Sequence, residues 1–329
     1  MNTKHSHFVG YHLMSLFALM MVACGGGGSA SIDEPGSNLP PPAVVEPIAD
    51  RATDAAFVSD HFSGSENCAF CHDGLVDASG QDVAIVDDWQ PSMMAGSSRD
   101  PFWRAKVASE IRRNPDLRAE IESTCSRCHM PMAHVEAEFA AADITVLDNG
   151  LLHPDNALFD AAAEGVSCTL CHQIADTPEL GSEDGFSGGF EIPYSFGVDR
   201  LALGQYADPL TMPMRNQVAF TPAYSPHISA SKVCASCHNL STAVLDAEGN
   251  ITGEYFPEQA VYTEWEHSDF AVSQSCADCH MPRADGDVTI STRPPNGLAS
   301  RPDFARHSFA GANTYMLEMF AANQAELSL

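Results

Sequence analysis

Basic residues are scarce in this chain, and their scarcity limits what it can bind. The 329 residues contain 16 Lys and Arg against 44 Asp and Glu, which gives a formal net charge of −28 with neutral histidines. Proteins bind nucleic acid and anionic membranes through basic patches. A chain this acidic is not expected to have one, which excludes nucleic acid as a partner. A docking protein is expected to present a basic face, although the same acidity also suits a plainly solvated surface.

The apolar run near the N-terminus is too short to cross a membrane. It extends from Tyr11 to Ala23, whereas a membrane-spanning helix needs about 20 apolar residues. Lys4 precedes the run, and Cys24 follows it directly. A basic start, an apolar stretch and a small residue before the cleavage point are typical of a secretory signal. The Ala-Cys ending is similar to a bacterial lipoprotein signal.

We therefore predict a signal peptide over 1–23, lipidation at Cys24 and a Gly/Pro-rich flexible tether over 24–54. The alternative is an ordinary signal peptide with an incidental cysteine. Gly25, rather than Asp, follows Cys24, which favours the outer membrane by similarity to lipoprotein sorting rules. The expected location is the cell envelope, with the protein anchored at the periplasmic or surface face of the outer membrane.

Cysteines outside paired motifs are almost absent. Of 11 cysteines, ten form five Cys-x-x-Cys pairs, each followed directly by His, and Cys24 is the eleventh. On a helical turn this spacing brings both thiols to one edge of a haem, where they can add to its two vinyl groups, and the adjacent imidazole reaches the iron. We predict five covalent haem c groups, with thioether cysteines and proximal ligands in the five motifs Cys68, Cys71 and His72; Cys125, Cys128 and His129; Cys168, Cys171 and His172; Cys234, Cys237 and His238; Cys276, Cys279 and His280.

Zinc and disulfides are the alternative uses of paired cysteines. Zinc sites share the Cys-x-x-Cys spacing, and an oxidising compartment permits disulfides. Neither explains a histidine after all five pairs. Because so few residues serve each haem, the haems are expected to supply much of the interior, and the apoprotein to be largely unfolded. Crowding also places neighbouring haems within electron-tunnelling range.

Histidines outside the motifs are the candidate distal ligands of the irons. His227 and His267 lie shortly before haem cysteines, whereas His307 has no later motif to serve and is expected to ligate an earlier haem. His134 follows His129 by five residues, so it would serve a neighbouring haem. The alternative for each is a surface or satisfied core histidine. The six candidates are His61, His134, His153, His227, His267 and His307.

Met94 is a further candidate distal ligand. It follows Trp89 at the place where the second half of the chain has Trp265 and His267. Methionine ligation raises the reduction potential relative to two histidines, so a Met-ligated haem would differ from the others. Plain packing in the core by a flexible apolar side chain is the alternative.

The remaining patterns predict short helices and long irregular connections. Trp89 stands between the first two motifs and Trp265 between the last two, which indicates a duplicated two-haem module with one haem inserted. The domain is expected to cover 55–329, with haems one to three in about 55–180 and haems four and five in 223–329. Gly and Pro predict loop over 181–222. Helices are predicted at Pro101–Asn114, Asp116–Cys125, Leu158–Glu164 and Asn313–Glu326, and strands at Asp82–Val86 and Ile144–Leu147.

Several of these segments resemble the multihaem cytochrome c superfamily of hydroxylamine oxidoreductase, octahaem tetrathionate reductase and small tetrahaem carriers. They include the Trp89-Gln-Pro-Ser-Met-Met-Ala segment, Met130-Pro131 after the second motif, Glu164-Gly165-Val166 and His307-Ser-Phe-Ala-Gly311. The resemblance implies a mainly α fold with long irregular loops and few short strands, organised around stacked haems with mostly two-histidine ligation. The chain lacks the Cys-x-x-Cys-Lys variant of the superfamily's nitrite reductases.

Three functions agree with these observations. The favoured one is an electron carrier whose donor and acceptor are redox proteins, with no catalytic residue of its own. The second is a terminal reductase or oxidase of a small nitrogen or sulfur compound, which needs one haem with an open iron position. The third is a subunit of a larger conductive cytochrome assembly.

Overall fold

The computed structural model describes residues 55–293 and 297–322. The predicted signal peptide, Cys24 and the tether lie outside these residues. Within them, short helices alternate with irregular segments and four short strands, so the predicted class, mainly α with few strands, is confirmed. They belong to one compact unit, Pro40–Leu329. The division into parts with three and two haems stays a prediction.

The described residues contain twelve α-helices and four strands, besides five 3-10 helices of three or four residues. The helices are α1 Ser65–His72, α2 Ile85–Trp89, α3 Pro101–Arg113, α4 Arg118–His129, α5 Pro131–Phe139, α6 Phe159–Ala163, α7 Cys168–Cys171, α8 Thr211–Gln217, α9 Ser231–His238, α10 Val261–Glu266, α11 Cys276–His280 and α12 Thr314–Ala322. The strands are β1 Leu201–Gly204, β2 Thr221–Tyr224, β3 Asn239–Leu245 and β4 Ile251–Ala260. None of the helices in this part of the chain has the length and apolar character to span a membrane.

The strands form two separate pairs. β1 and β2 are parallel, with Leu201 opposite Thr221. β3 and β4 are antiparallel, from Asn239 opposite Ala260 to Leu245 opposite Ile251, with two irregularities in register. The predicted loop over 181–222 therefore also contains β1, α8 and the start of β2.

Helix α3 agrees with the sequence prediction because its start carries local signals. Asp100 caps it by accepting a hydrogen bond from the backbone N–H of Phe102 at 2.8 Å, and Pro101 occupies the first position. A proline there costs no hydrogen bond, because the first N–H groups of a helix have no partner inside it. The other three predicted helices are present as α4, α6 and α12 with shifted bounds. Residues 323–326 of the last prediction lie outside the described part.

The two predicted strands are wrong, and in each a side chain takes the backbone donors that a strand would need. The Asp82 carboxylate accepts from the N–H of Ala84 at 2.8 Å, and α2 begins at the next residue. The buried Glu122 carboxylate accepts from the N–H groups of Val146 and Leu147, each at 3.1 Å. Carboxylates compete effectively with sheet ladders because hydrogen bonds to an ionised acceptor are strong.

Two apolar clusters hold the described residues together. The larger joins α3 through α7, and its buried members include Trp103, Val107, Met130, Phe159 and Leu170. The smaller packs Leu75 and Val83, which follow α1, against Val288 and Phe304 from the C-terminal segment. The second cluster therefore brings the first motif near the segment that carries His307.

Gly165 forms the tight turn between α6 and α7. Its φ is +69°, and an added Cβ would lie 2.7 Å from the carbonyl oxygen of Ala95 and 2.7 Å from Ser97 Oγ. The next residue, Val166, donates its N–H to the carbonyl of Met94 at 3.0 Å and accepts from Trp89 Nε1 at 2.8 Å. Only glycine combines this φ with this close approach.

We expect Gly165→Ala to lower the free energy of unfolding by about 2 kcal/mol or more, from backbone strain and overpacking together. Gly249→Ala is the matched control, because Gly249 has a φ of +86° but open space around its Cβ position. Urea unfolding at equal haem content measures both variants. Equal destabilisation would show that the contacts around Gly165 do not matter.

Candidate haem sites

All five Cys-x-x-Cys-His motifs lie on helices. The motifs end α1, α4, α9 and α11, and the third fills α7 with His172 just after it. Residues three apart on a helix project from the same side, so each helix presents its two thiols together. Two thiols on one turn beside an imidazole form a donor set that suits haem c attachment.

Main-chain carbonyls orient four of the five motif histidines. A carbonyl oxygen can only accept, so Nδ1 carries the proton and Nε2 keeps a free lone pair for a metal. The acceptors lie far along the chain from the imidazoles that they orient. The bonds run from Nδ1 of His72 to Ile290 at 2.6 Å, of His129 to Ser97 at 2.9 Å, of His172 to Leu203 at 2.6 Å and of His280 to Ala310 at 2.5 Å.

Burial and packing favour the neutral form of these rings. Desolvation lowers the pKa of His72, His129, His172 and His238. The indole of Trp103 stacks on the ring of His129 with centroids 4.3 Å apart and an angle of 8° between the planes. A neutral imidazole with a proton on Nδ1 is the form that binds iron through Nε2.

The thiols of different motifs meet in three places. Cys68 lies near Cys168, Cys128 near Cys237, and Cys234 near Cys276, so that each thiol shifts the pKa of its neighbour. In the last pair the pKa of Cys276 falls to about 6, because it accepts from the thiol of Cys234. The described motif cysteines form no disulfides.

The fourth motif is the junction of the set. Its cysteines lie near those of the second and fifth motifs, and Cys171 of the third motif raises the pKa of both Cys234 and Cys237. The N–H of Cys276 donates to Ser231 Oγ at 3.0 Å, which joins α11 to α9. Thr169 Oγ1 donates to the carbonyl of Ser63 at 2.9 Å, which joins α7 to the segment before α1.

His307 faces His172, the histidine of the third motif. The ring centroids of His172 and His307 are 6.4 Å apart, with 25° between the planes. Two imidazoles that share one metal ion would have centroids about 6.2 Å apart, given metal–nitrogen bonds of about 2.0 Å. Burial and the neighbouring His172 lower the pKa of His307 to about 4, so the ring is neutral. Its Nδ1 is buried without a hydrogen-bond partner.

His61 has a carboxylate partner. Its Nδ1 lies 2.8 Å from Glu136 Oε2, and its backbone N–H donates to Oε1 at 2.8 Å. Its Nε2 is buried without a hydrogen-bond partner. The rings of Phe139, Tyr194 and Phe196 surround the imidazole, with centroids 4.2, 5.5 and 5.1 Å away.

His134 and His227 differ in how their ring nitrogens are engaged. His134 is buried, with Nδ1 2.7 Å from Ser126 Oγ, and its Nε2 lies 3.3 Å from Glu138 Oε1 but makes no hydrogen bond. His227 uses both ring nitrogens, Nδ1 toward Ser225 Oγ at 2.6 Å and Nε2 toward the carbonyl of Ile174 at 2.8 Å. Sequence position alone favours His227 over His61, because it cannot show which nitrogens have partners.

The last three candidates lie nearer the surface or at the edge of the core. His267 is exposed and donates from Nδ1 to the carbonyl of Thr263 at 2.8 Å. His153 accepts at Nδ1 from the N–H of Asp155 at 3.2 Å, which leaves the proton of a neutral ring on Nε2. Met94 packs, partly buried, against the larger apolar cluster. Their roles as ligands stay predictions.

Sequence reasoning missed the buried carboxylates beside these sites. Glu164 Oε1 accepts from the N–H of Ser65 at 2.6 Å and from Ser167 Oγ at 3.0 Å. It thereby ties the start of α1 to the start of α7, and burial raises its pKa to about 7. In the sequence, Glu164 stands out only as part of the Glu164-Gly165-Val166 segment, and nothing separates Glu136 from the many surface acids. No three His, Cys, Asp or Glu side chains of the described residues are grouped as ligands of a lone metal ion.

Comparisons with known proteins give one similar structure. No family model matches the chain, and no curated protein matches it. A penta-heme cytochrome c552 from Thermochromatium tepidum is similar at 19% sequence identity with a TM-score of 0.45. The match covers 81% of this chain and 58% of that one, so this chain spans little more than half the length of that cytochrome.

Proposed function

We propose that this protein is a multihaem c-type cytochrome that transfers electrons through five covalently bound haems. The observation that carries the proposal is that helices of different Cys-x-x-Cys-His motifs are hydrogen-bonded to their neighbours. Thr169 Oγ1 of α7 donates to the carbonyl of Ser63 beside α1, and the N–H of Cys276 in α11 donates to Ser231 Oγ of α9. Each pair of cysteines would hold one haem, so neighbouring motifs would bring their haems close together and form one electron path.

The chain's own residues position and tune this path. Bound haem iron supplies a one-electron couple whose potential depends on its axial ligands and surroundings. Backbone carbonyls hold the motif imidazoles with Nε2 free, as they do for His72 and His172. The pairing of His172 with His307 supports a filled coordination sphere, which suits a carrier better than an enzyme with an open iron.

The proposed setting is the cell envelope, with lipid on Cys24 and the tether over 24–54 holding the haem domain away from the membrane. The charge of −28 supports redox partners with basic docking faces, because complementary charge steers association. The partners are one-electron donor and acceptor proteins.

The holoprotein is expected to carry five covalent haems and to take up five electrons per chain, one for each motif. Mass spectrometry and a pyridine haemochrome assay measure the haems, and a reductive titration counts the electrons. Ferric EPR should show low-spin haems that do not respond to nitrite, hydroxylamine or CO. A high-spin signal that shifts with one of them would instead support the reductase or oxidase.

His307→Ala should convert one haem from low-spin to high-spin while all five stay attached, because the imidazole opposite His172 is lost. Ferric EPR and mass spectrometry measure the two properties. Phe309→Leu is the control for local packing, since the ring of Phe309 lies with its centroid 6.0 Å from that of His307. A His307→Ala spectrum like that of the wild type would show that His307 ligates no iron.

Cys24→Ser should release the exported protein from the membrane fraction, because the thiol is the proposed site of lipid attachment. Fractionation of cells followed by haem staining measures the distribution. Retention of the variant in the membrane would assign the anchoring to some other feature of the protein.

A further inference from the structure

Glu136 holds His61 with both of its carboxylate oxygens. Oε2 lies 2.8 Å from Nδ1 of the ring, and Oε1 accepts from the backbone N–H of His61 at 2.8 Å and from Ser59 Oγ at 2.5 Å. The two side chains are only 3% and 7% exposed. Such a two-point grip in a buried place sets the ring orientation and its tautomer.

The negative charge of Glu136 is directed at this imidazole. The nearby charge of Glu136 raises the pKa of Arg200, although burial lowers it overall. The Arg200 guanidinium itself donates to the carbonyls of Gly197 and Val218 and packs over the ring of Phe220. Little water reaches the pair, so the carboxylate acts on the ring through a medium of low polarity.

This acceptor differs in kind from those of the motif histidines. His72, His129 and His172 donate from Nδ1 to neutral carbonyls, whereas His61 faces a carboxylate side chain. Hydrogen bonds to ionised acceptors are roughly twice as strong as neutral ones. A carboxylate on Nδ1 therefore shifts electron density to Nε2 and makes it a more basic metal ligand.

The remaining nitrogen of His61 is suited to be that ligand. Nε2 is buried and has no hydrogen-bond partner in the protein, and buried polar atoms without partners are rare. The rings of Phe139, Tyr194 and Phe196 lie around the imidazole of His61. Aromatic rings of this kind pack well against a haem.

We propose, on the basis of the proposed haem function, that His61 is an axial ligand and that Glu136 lowers the reduction potential of its haem below those of the others. The more basic ligand stabilises ferric iron over ferrous iron. This haem would therefore be the last of the five to be reduced and the first to be oxidised. Only electrons move, and no bond is made or broken. Glu136 is a positioning and tuning residue that acts through His61.

Glu136→Gln tests the tuning directly, because glutamine keeps the shape and loses the charge. Spectropotentiometric titration should show one potential raised and four unchanged, with the EPR signal of one haem shifted. Glu136→Asp retains the charge and should leave the lowest potential near its wild-type value. Glu120→Gln, which removes an equal charge from an exposed position, controls for general electrostatics.

The outcomes separate the inference from the function that it rests on. The tuning by Glu136 would be overturned if Glu136→Gln and Glu136→Asp shifted the reduction potential equally. It would also be overturned if Glu136→Gln shifted the potential no more than Glu120→Gln does, or not at all. His61→Ala keeps the ligand assignment testable if the Glu136 variants fold poorly: it should turn one haem high-spin, and an unchanged low-spin spectrum would refute it. A wild-type protein without covalent haem would refute the proposed function itself.

Discussion

The hydrogen bond from a motif histidine to a distant main-chain carbonyl is the interaction on which much of this molecule depends. His72 reaches Ile290, 218 positions along the chain, and His280 reaches Ala310, 30 positions along. Each bond fixes an imidazole and an irregular segment at once. This explains how long connections without regular structure stay ordered, since their carbonyls find partners at the sites rather than in helices or sheets.

Buried carboxylates are the second ordering element, and they are exceptions, since most acids of the described residues lie at the surface. Glu122 ties α4 to the segment at Val146, Glu136 grips His61, and Glu164 joins the starts of α1 and α7. Each accepts from backbone N–H groups that helices and strands leave unpaired. A buried carboxylate is tolerated when such donors surround it. These three glutamates therefore join separate segments of the chain, a role that the overall acidity of the sequence does not reveal.

Structure that depends on neighbouring residues could be predicted from the sequence, and structure that depends on distant residues could not. Helix α3 was predictable because Asp100 and Pro101 act within one turn. The strands predicted at Asp82–Val86 and Ile144–Leu147 failed for different reasons. Asp82 captures the N–H of Ala84 locally, whereas Glu122 reaches Val146 from 24 positions away, and no pattern within the segment could reveal that.

The sequence by itself determined the five Cys-x-x-Cys-His motifs, because two thiols and an imidazole within five residues come together on one helical turn. It also determined the pool of spare histidines. Only the tertiary structure decided which of them meet: His307 lies opposite His172, and His61 lies beside Glu136. The physical reason is that these partners are 135 and 75 positions apart, so packing of distant segments, and not local spacing, brings them together.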